Sequence, residues 1–229
     1  AVESHTDSIA RKLGMDPWEF RMKNALKEGD TSVNGAKIPR NGLAESLLAV
    51  KDRLGLPKKL GESRGVGLAI CEWRSGSGPS TAAISLNEDG TVSLLTGSVD
   101  ISGSDTSLAA IAAETLGLPL DQVVVAKRDT DLAPFTGPSG GSRIVYSQGT
   151  AVQRAAEEVR ERLYELAAER LGVPAGALAT GEGRVYVQDN PNQSLSLSQL
   201  AGMSLNSRGG PIIGTACTHW TGTASPIGR

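Results

Sequence analysis

Aromatic side chains are scarce: three Trp, three Tyr and two Phe make up 3% of 229 residues. That weighs against a substrate cavity walled by aromatic rings and favours tight turns with close backbone approach. Only two cysteines are present, Cys71 and Cys217, far apart and with no Cys-x-x-Cys pair, so no disulfide framework or thiol redox motif is written here. Two structural thiols in a reduced, cytoplasmic setting is the reading they support. The two histidines, His5 and His219, stand at opposite ends without a carboxylate or cysteine at ligand spacing, which leaves no metal site to propose. No apolar run is long enough to span a bilayer and no secretory signal is present. With 23 basic and 25 acidic residues the net charge is −2, so neither nucleic acid nor an anionic membrane is an expected partner. No Walker lysine follows the glycines, which argues against a nucleoside-triphosphate loop.

Glycine, by contrast, is abundant at 28 residues. Two Gly/Ser-rich loops stand out, Asp100-Ile-Ser-Gly-Ser-Asp-Thr106 and Gly137-Pro-Ser-Gly-Gly-Ser-Arg143, each running into a helical pattern. Such loops cluster backbone N–H groups at helix N-termini, where proteins hold phosphates and other polyanions. Two of them about forty residues apart point to one extended anionic ligand gripped from two sides. The bland alternative is a pair of ordinary helix starts, with Ser104 as N-cap and the second loop a wide connector.

Helices are expected over Thr6–Leu13, Pro17–Leu26 (with Asp16 as cap) and from Asn41 or Gly42 to Leu54, where Gly55 and Pro57 stop it. Residues 27–40 read as a loop. A β section follows over Gly65–Arg74, Thr81–Leu86 and Thr91–Leu95, the last two joined as a hairpin by Asn87-Glu-Asp-Gly90. Leu108, Ile111, Ala112, Thr115 and Leu116 share one helical face, and Gln122–Lys127 reads as a buried strand. The long helix carries Val152, Ala156, Val159, Leu163, Leu166 and Ala167 as an apolar stripe expected to lie on a sheet, and stops at Gly172 and Pro174. Arg184–Gln188 and Pro211–Thr218 are further strand candidates, with a short helix at Ser196–Gly202. Asp129-Thr-Asp131 reads as an Asx-type turn rather than a hard-metal site. The three tryptophans, Trp18, Trp73 and Trp220, read as packing residues. The mixture lacks strict βαβ alternation, so the expected fold class is α+β with a mixed, largely antiparallel sheet and packed helices.

Several stretches, in order, resemble the molybdopterin-binding large subunit of the xanthine dehydrogenase, aldehyde oxidase and CO dehydrogenase family. They begin with Glu3-Ser-His-Thr-Asp7, Ile9-Ala10, Leu13-Gly-Met-Asp-Pro17 and Arg21-Met-Lys-Asn24. The hairpin and Gly loop at Thr91–Asp100 and Ser102–Thr106 follow, then Ala112–Gly117, Asp129-Thr130, Gly140–Arg143 and Gly149–Ala156. The match runs from Ala1 to about Gly172. One departure is clear: where much of the family has Gly-Gln-Gly in the first loop, this chain has Ser102-Gly103-Ser104 and is one residue shorter, the Asp-Ile-Ser-Gly pattern of one branch.

The resemblance implies a molybdenum hydroxylase, in which a molybdopterin cofactor, in some members extended to a cytosine dinucleotide, adds water-derived oxygen to an aldehyde, N-heterocycle or related substrate. It places electron transfer on a 2Fe-2S small subunit and an FAD medium subunit or domains, and allows dimerisation of large subunits. Residues 1–60 would belong to the preceding part of the large subunit and residues 61–229 to the cofactor-binding domain. Ser102, Gly103, Ser104, Asp105 and Thr106, with Ser139, Gly140, Gly141, Ser142 and Arg143, are the cofactor-binding candidates. The catalytic glutamate of the family is expected beyond Arg229; Glu182, in a Gly-Glu-Gly turn, reads as a solvated carboxylate. The upstream Gly-Gly-Phe-Gly segment is also absent, so a piece excised from a longer polypeptide, inactive alone, is the expectation. Rival readings are a non-catalytic binding or assembly module with a degenerate site, and an unrelated phosphate-binding α+β domain.

Overall fold

The computed structural model describes residues 1–38, 40–55, 61–71, 76, 78–126, 129–206 and 209–218. They fall into two compact units, one built from the described residues up to Cys71 and one from those between Gly76 and Thr218.

In the first unit three helices form where the local signals put them: α1 (Val2–Lys12), α2 (Pro17–Asn24) and α3 (Leu43–Leu54). Helix α2 starts because the Asp16 carboxylate accepts from the Trp18 and Glu19 N–H groups and Pro17 needs no donor partner at the first position. Helix α3 ends in Gly55 at φ 62°, a left-handed residue that costs glycine little. Trp18 packs these helices together, its indole N–H donating to Leu47 O at 2.8 Å beneath the Lys51 ammonium. Buried Arg21 ties α1 to α2: it donates to Glu3 Oε2 at 2.9 Å, Asp7 Oδ1 at 2.7 Å and the Pro17 and Glu3 carbonyls. Glu3 Oε2 also accepts the Ile70 N–H at 2.7 Å. That bond corrects one expectation. No strand forms over the described part of Gly65–Arg74, because the Ile70 amide is used by a carboxylate instead of a neighbouring strand.

The second unit is α+β. A four-stranded sheet in the order β3-β2-β1-β7 comprises β1 (Ser80–Leu86), β2 (Val92–Thr96), β3 (Val123–Val125) and β7 (Ile213–Thr218). All neighbours are antiparallel except β2 and β3, which the crossover through α4 (Ser104–Leu116) makes parallel. Strands β1 and β2 bury alternate residues, so one face is covered and the other is half open. The predicted hairpin turn is present: Gly90, at φ 90°, donates to Asn87 O, and Asn87 N–H closes on Thr91 O. The long helix α5 (Gly149–Leu171) lays Val152, Ala155, Ala156, Val159, Leu163 and Ala167 against β1, β7 and α4.

A second sheet, β4 (Leu178–Gly181), β5 (Arg184–Val187) and β6 (Asn190–Ser196), escapes the sequence reading except for β5. Its outer strand is the polar run Asn-Pro-Asn-Gln-Ser-Leu-Ser, which has no apolar alternation to betray it. Glu182 and Gly183, both at positive φ, make the two-residue turn between β4 and β5. Helix α6 (Leu197–Leu205) begins in a capping box of Ser196 and Gln199. No described helix is long and apolar enough to cross a membrane.

Two outcomes follow. Leu163→Ala, at a fully buried position of α5, lowers unfolding stability by about 2–5 kcal/mol in denaturant titration. In the first unit the Ile70 amide, and then Arg21, hold the Glu3 carboxyl below the ordinary glutamate range against the opposing effect of burial. A depressed folded-state pKa stabilises fully above the unfolded value and is lost as pH falls through the folded one. The stability gap between wild type and Glu3→Gln therefore shrinks as pH falls from about 5 to about 3; a constant gap across that window would contradict the assignment.

Candidate functional site

The two Gly/Ser loops are built alike. Each ends in two consecutive left-handed residues immediately before a helix: Ser102 (φ 56°) and Gly103 (φ 74°) before α4, and Gly141 (φ 58°) and Ser142 (φ 55°) before the turn that leads to α5. A left-handed serine costs about 1–2 kcal/mol relative to glycine, and both loops bear that strain. After Arg143 the chain makes one π-type turn, Ile144–Gln148, closed by the Gly149 N–H on Ile144 O, before settling into α5.

Helix packing brings both loops to one end of the second unit. A Cβ on Gly149 would lie 2.8 Å from Ile111 Cδ1, and further along both helices Arg160 donates to Thr115 O at 3.1 Å. Later residues of α5 meet later residues of α4, so the helices run side by side in the same sense. The root of the first loop also touches the approach to the second, since a Cβ on Gly97 would collide with Pro134 O. This end lies beyond the C-terminus of β2, the position where parallel crossovers present ligand sites.

The loops differ in what their donors already bind. In the first, Asp100 Oδ1 accepts from the Asp105 N–H at 3.1 Å and from the Ser104 hydroxyl at 3.3 Å, so the protein's own carboxylate caps the start of α4. Ser104 is buried; its Oγ accepts the Ile101 N–H and donates to Val99 O. The Ser102, Gly103 and Thr106 N–H groups meet no acceptor among the described residues, and these three residues are exposed. In the second loop the N–H groups of Ser139, Gly140, Gly141 and Ser142 are all without an acceptor among the described residues. Ser139, Gly140 and Ser142 are exposed and Gly141 half-buried. The second loop thus offers four backbone donors and two hydroxyls, the donor set a phosphate or other anion requires. The first, with Asp100 in its mouth, suits a neutral acceptor better than an anion.

Arg143 does not join those donors. It is 4% exposed, and its guanidinium donates to Pro79 O at 3.0 Å, Ser80 Oγ at 3.1 Å and Pro138 O at 3.3 Å. No carboxylate pairs with it among the described residues, and Nε has no partner. Burying an unpaired charge costs several kcal/mol, while hydrogen bonds to a charged donor return about 1.5–3 kcal/mol each. Three acceptors therefore roughly offset the burial.

Around this arginine lies a buried polar cluster that the sequence reading missed. Gln148, fully buried, donates to Thr81 O and accepts from Thr136 Oγ1, both at 2.7 Å. Thr136 Oγ1 also lies 3.3 Å from Ser80 Oγ, and Thr218 Oγ1 donates to Ser80 O and Ser147 O. Its sequence signal was available: Gln148 stands four residues before Val152, on the same stripe that α5 buries. Exposed Val99, Ile101, Phe135, Val145 and Tyr146 flank the two loops.

The remaining candidates are accounted for. Asp129 makes the expected Asx turn, accepting the Asp131 N–H at 2.8 Å. Glu182 is exposed and 3.3 Å from Arg184, as a turn carboxylate should be. His5 is exposed. Cys71 and Cys217 are both free and exposed. Trp73, Trp220, His219 and the ends of two expected strands lie outside the described residues.

With this geometry in hand, the similarities are specific. Residues 45–225 match the molybdopterin cofactor-binding domain family. The chain is 34% identical over 218 residues to the xanthine dehydrogenase molybdenum-binding subunit of Escherichia coli O157:H7, covering 88% of this chain and 29% of that protein. It is 36% identical over 173 residues to the aldehyde oxidoreductase of Megalodesulfovibrio gigas, covering 69% and 19% respectively. Among solved structures, quinoline 2-oxidoreductase from Pseudomonas putida 86 superposes with a TM-score of 0.64 at 22% identity over 96% of this chain and 32% of that one, a likeness of fold. Aldehyde oxidoreductase from Desulfovibrio gigas does so with a TM-score of 0.61 at 29% identity over 94% and 22%. The chain thus spans under a third of the length of these relatives, and it belongs to the molybdopterin cofactor-binding domain of the xanthine dehydrogenase, aldehyde oxidoreductase and CO dehydrogenase family.

Proposed function

We propose that this chain grips the molybdopterin cofactor of a molybdenum hydroxylase large subunit, through the loops Ser102–Thr106 and Ser139–Arg143. The observation that carries the reading is the second loop, where four backbone N–H groups without acceptors among the described residues lie beside the Ser139 and Ser142 hydroxyls. A pterin phosphate, with or without a cytosine nucleotide, needs many such donors and few side chains. The first loop would receive a neutral acceptor on the Ser102, Gly103 and Thr106 amides. The cofactor supplies the redox chemistry when bound; the residues of this chain bind and orient it. Exposed apolar side chains on both sides of the loops support burial of this end in the complete polypeptide.

In that polypeptide a glutamate beyond Arg229 would serve as the general base, and the substrate would be an aldehyde, N-heterocycle or related compound. Electrons would pass to 2Fe-2S and FAD on an iron–sulfur small subunit and a flavin medium subunit, or on equivalent domains, and large subunits would dimerise. Residues 1–60 would belong to the preceding part of the large subunit and residues 61–229 to the cofactor domain. Two free thiols fit a cytoplasmic location. One feature favours a second reading, a binding or assembly module that has lost the cofactor: the Asp100 carboxylate fills the helix start where a fully functional first loop would receive its ligand.

Molybdenum analysis and oxidised-pterin fluorescence on the complete polypeptide, purified with its partners, separate the two readings. Stoichiometric molybdenum and pterin are expected; properly matured protein without either would give the module reading the lead. Gly140→Asp probes the loop itself. A Cβ meets nothing within 4 Å there, so the backbone is kept while a carboxylate is added at the donor cluster, and pterin retention falls about tenfold or more. Unchanged retention would remove the second loop from the cofactor site.

A further inference from the structure

We propose that Arg143 is a positioning residue: from behind the second loop its guanidinium holds Gly140, Gly141 and Ser142 in the shape that presents their amides, without itself touching the ligand. The inference rests on the reading that this loop grips the cofactor.

Two of the three guanidinium nitrogens are committed inside the protein. One donates forward to Pro138 O within the loop, the other back to Pro79 O and Ser80 Oγ at the entrance to β1. The side chain is thus a strut between the loop and the sheet. A second tie runs alongside it, the Gly76 N–H donating to Gly141 O.

The seat is cut for this one side chain. A Cβ on Gly137 would collide with Arg143 Nη1, one on Gly76 would approach Arg143 Cβ to 3.0 Å, and one on Gly78 would approach Nη2 to 3.2 Å. Three glycines from two segments leave room for a planar fork and nothing more. The chemistry points the same way: an arginine meant to bind an anion would spend its donors on it, whereas here the acceptors among the described residues are neutral protein oxygens, and Nε, the guanidinium nitrogen that meets none of them, is itself buried. Lysine lacks the two-directional fork that links Pro138 to Pro79 and Ser80.

The test uses the complete polypeptide matured with its partners, and reads amide hydrogen exchange at Gly76, whose N–H donates to Gly141 O in the loop, alongside pterin retention on gel filtration. Arg143→Lys keeps the charge but loses the fork, Arg143→Ala removes both, and Gly137→Ala keeps the arginine but fills its seat. In each, exchange of the Gly76 amide speeds at least about tenfold and pterin is lost in step. Free guanidinium at sub-denaturing concentration slows both again in Arg143→Ala only. Should Arg143→Ala fail to fold, Arg143→Lys and Gly137→Ala carry the decision. Wild-type exchange in Arg143→Lys and Gly137→Ala would overturn the proposal. So would pterin loss with the Gly76 amide still protected, because the arginine would then be a direct ligand. If wild type carries no pterin, the cofactor reading fails on its own, and the exchange comparison still decides whether Arg143 holds the loop.

Discussion

A methyl group at position 214 would collide with the Ala155 carbonyl, so helix α5 rests directly on the backbone of strand β7. That contact is the constraint on which the second unit turns. It needs glycine on the strand and small residues on the helix, and Ala151, Ala155 and Ala156 are all fully buried. A helix this close to a sheet has little freedom to slide, since interiors are packed at crystal-like density. The Glu158 carboxylate adds a polar fastening by accepting the Thr215 N–H at 2.8 Å. Helix α4, the three-stranded sheet and α6 then pack on the faces of α5 left free.

The position of α5 sets the position of the second loop, because the π turn and Gln148 join the two without a gap. Gln148 reaches across to Thr81 O in β1 and so registers the start of the helix on the sheet. Arg143, five residues earlier, reaches to Pro79 and Ser80 at the start of the same strand. Two polar side chains thus fasten one stretch of backbone to one strand entrance, and the loop between Gly137 and Arg143 has both ends held. A rigid base is what a donor cluster needs if it is to bind without paying again to order itself.

The resemblance at the N-terminus has a physical meaning of its own. Glu3, Asp7 and Arg21, drawn from separate matching stretches, meet as one ion-paired knot that also captures the Ile70 amide. Their role in the first unit is to join α1 to α2, and their importance there is structural. In the second unit the matching stretches are the two strained loops and the helices that follow them.

The sequence by itself determined the helices and the hairpin, because their signals are local: Asp16 with Pro17, Gly55, Gly117 and Gly172 at the ends, and the stripe from Val152 to Ala167 between. It also marked the two Gly/Ser loops as special, through residue types that tolerate left-handed backbone. Tertiary structure alone decided the rest. The polar strand β6 is a strand only because β5 pairs with it, and Gly65–Arg74, apolar enough for a strand, lost the Ile70 amide to Glu3. Most consequentially, an arginine after Gly-Gly-Ser reads equally well as a hand held out to an anion or as a strut behind the loop. Which it is depends on whether carbonyls and glycines from a distant segment surround it, and such proximity is a property of the folded chain, not of its local order.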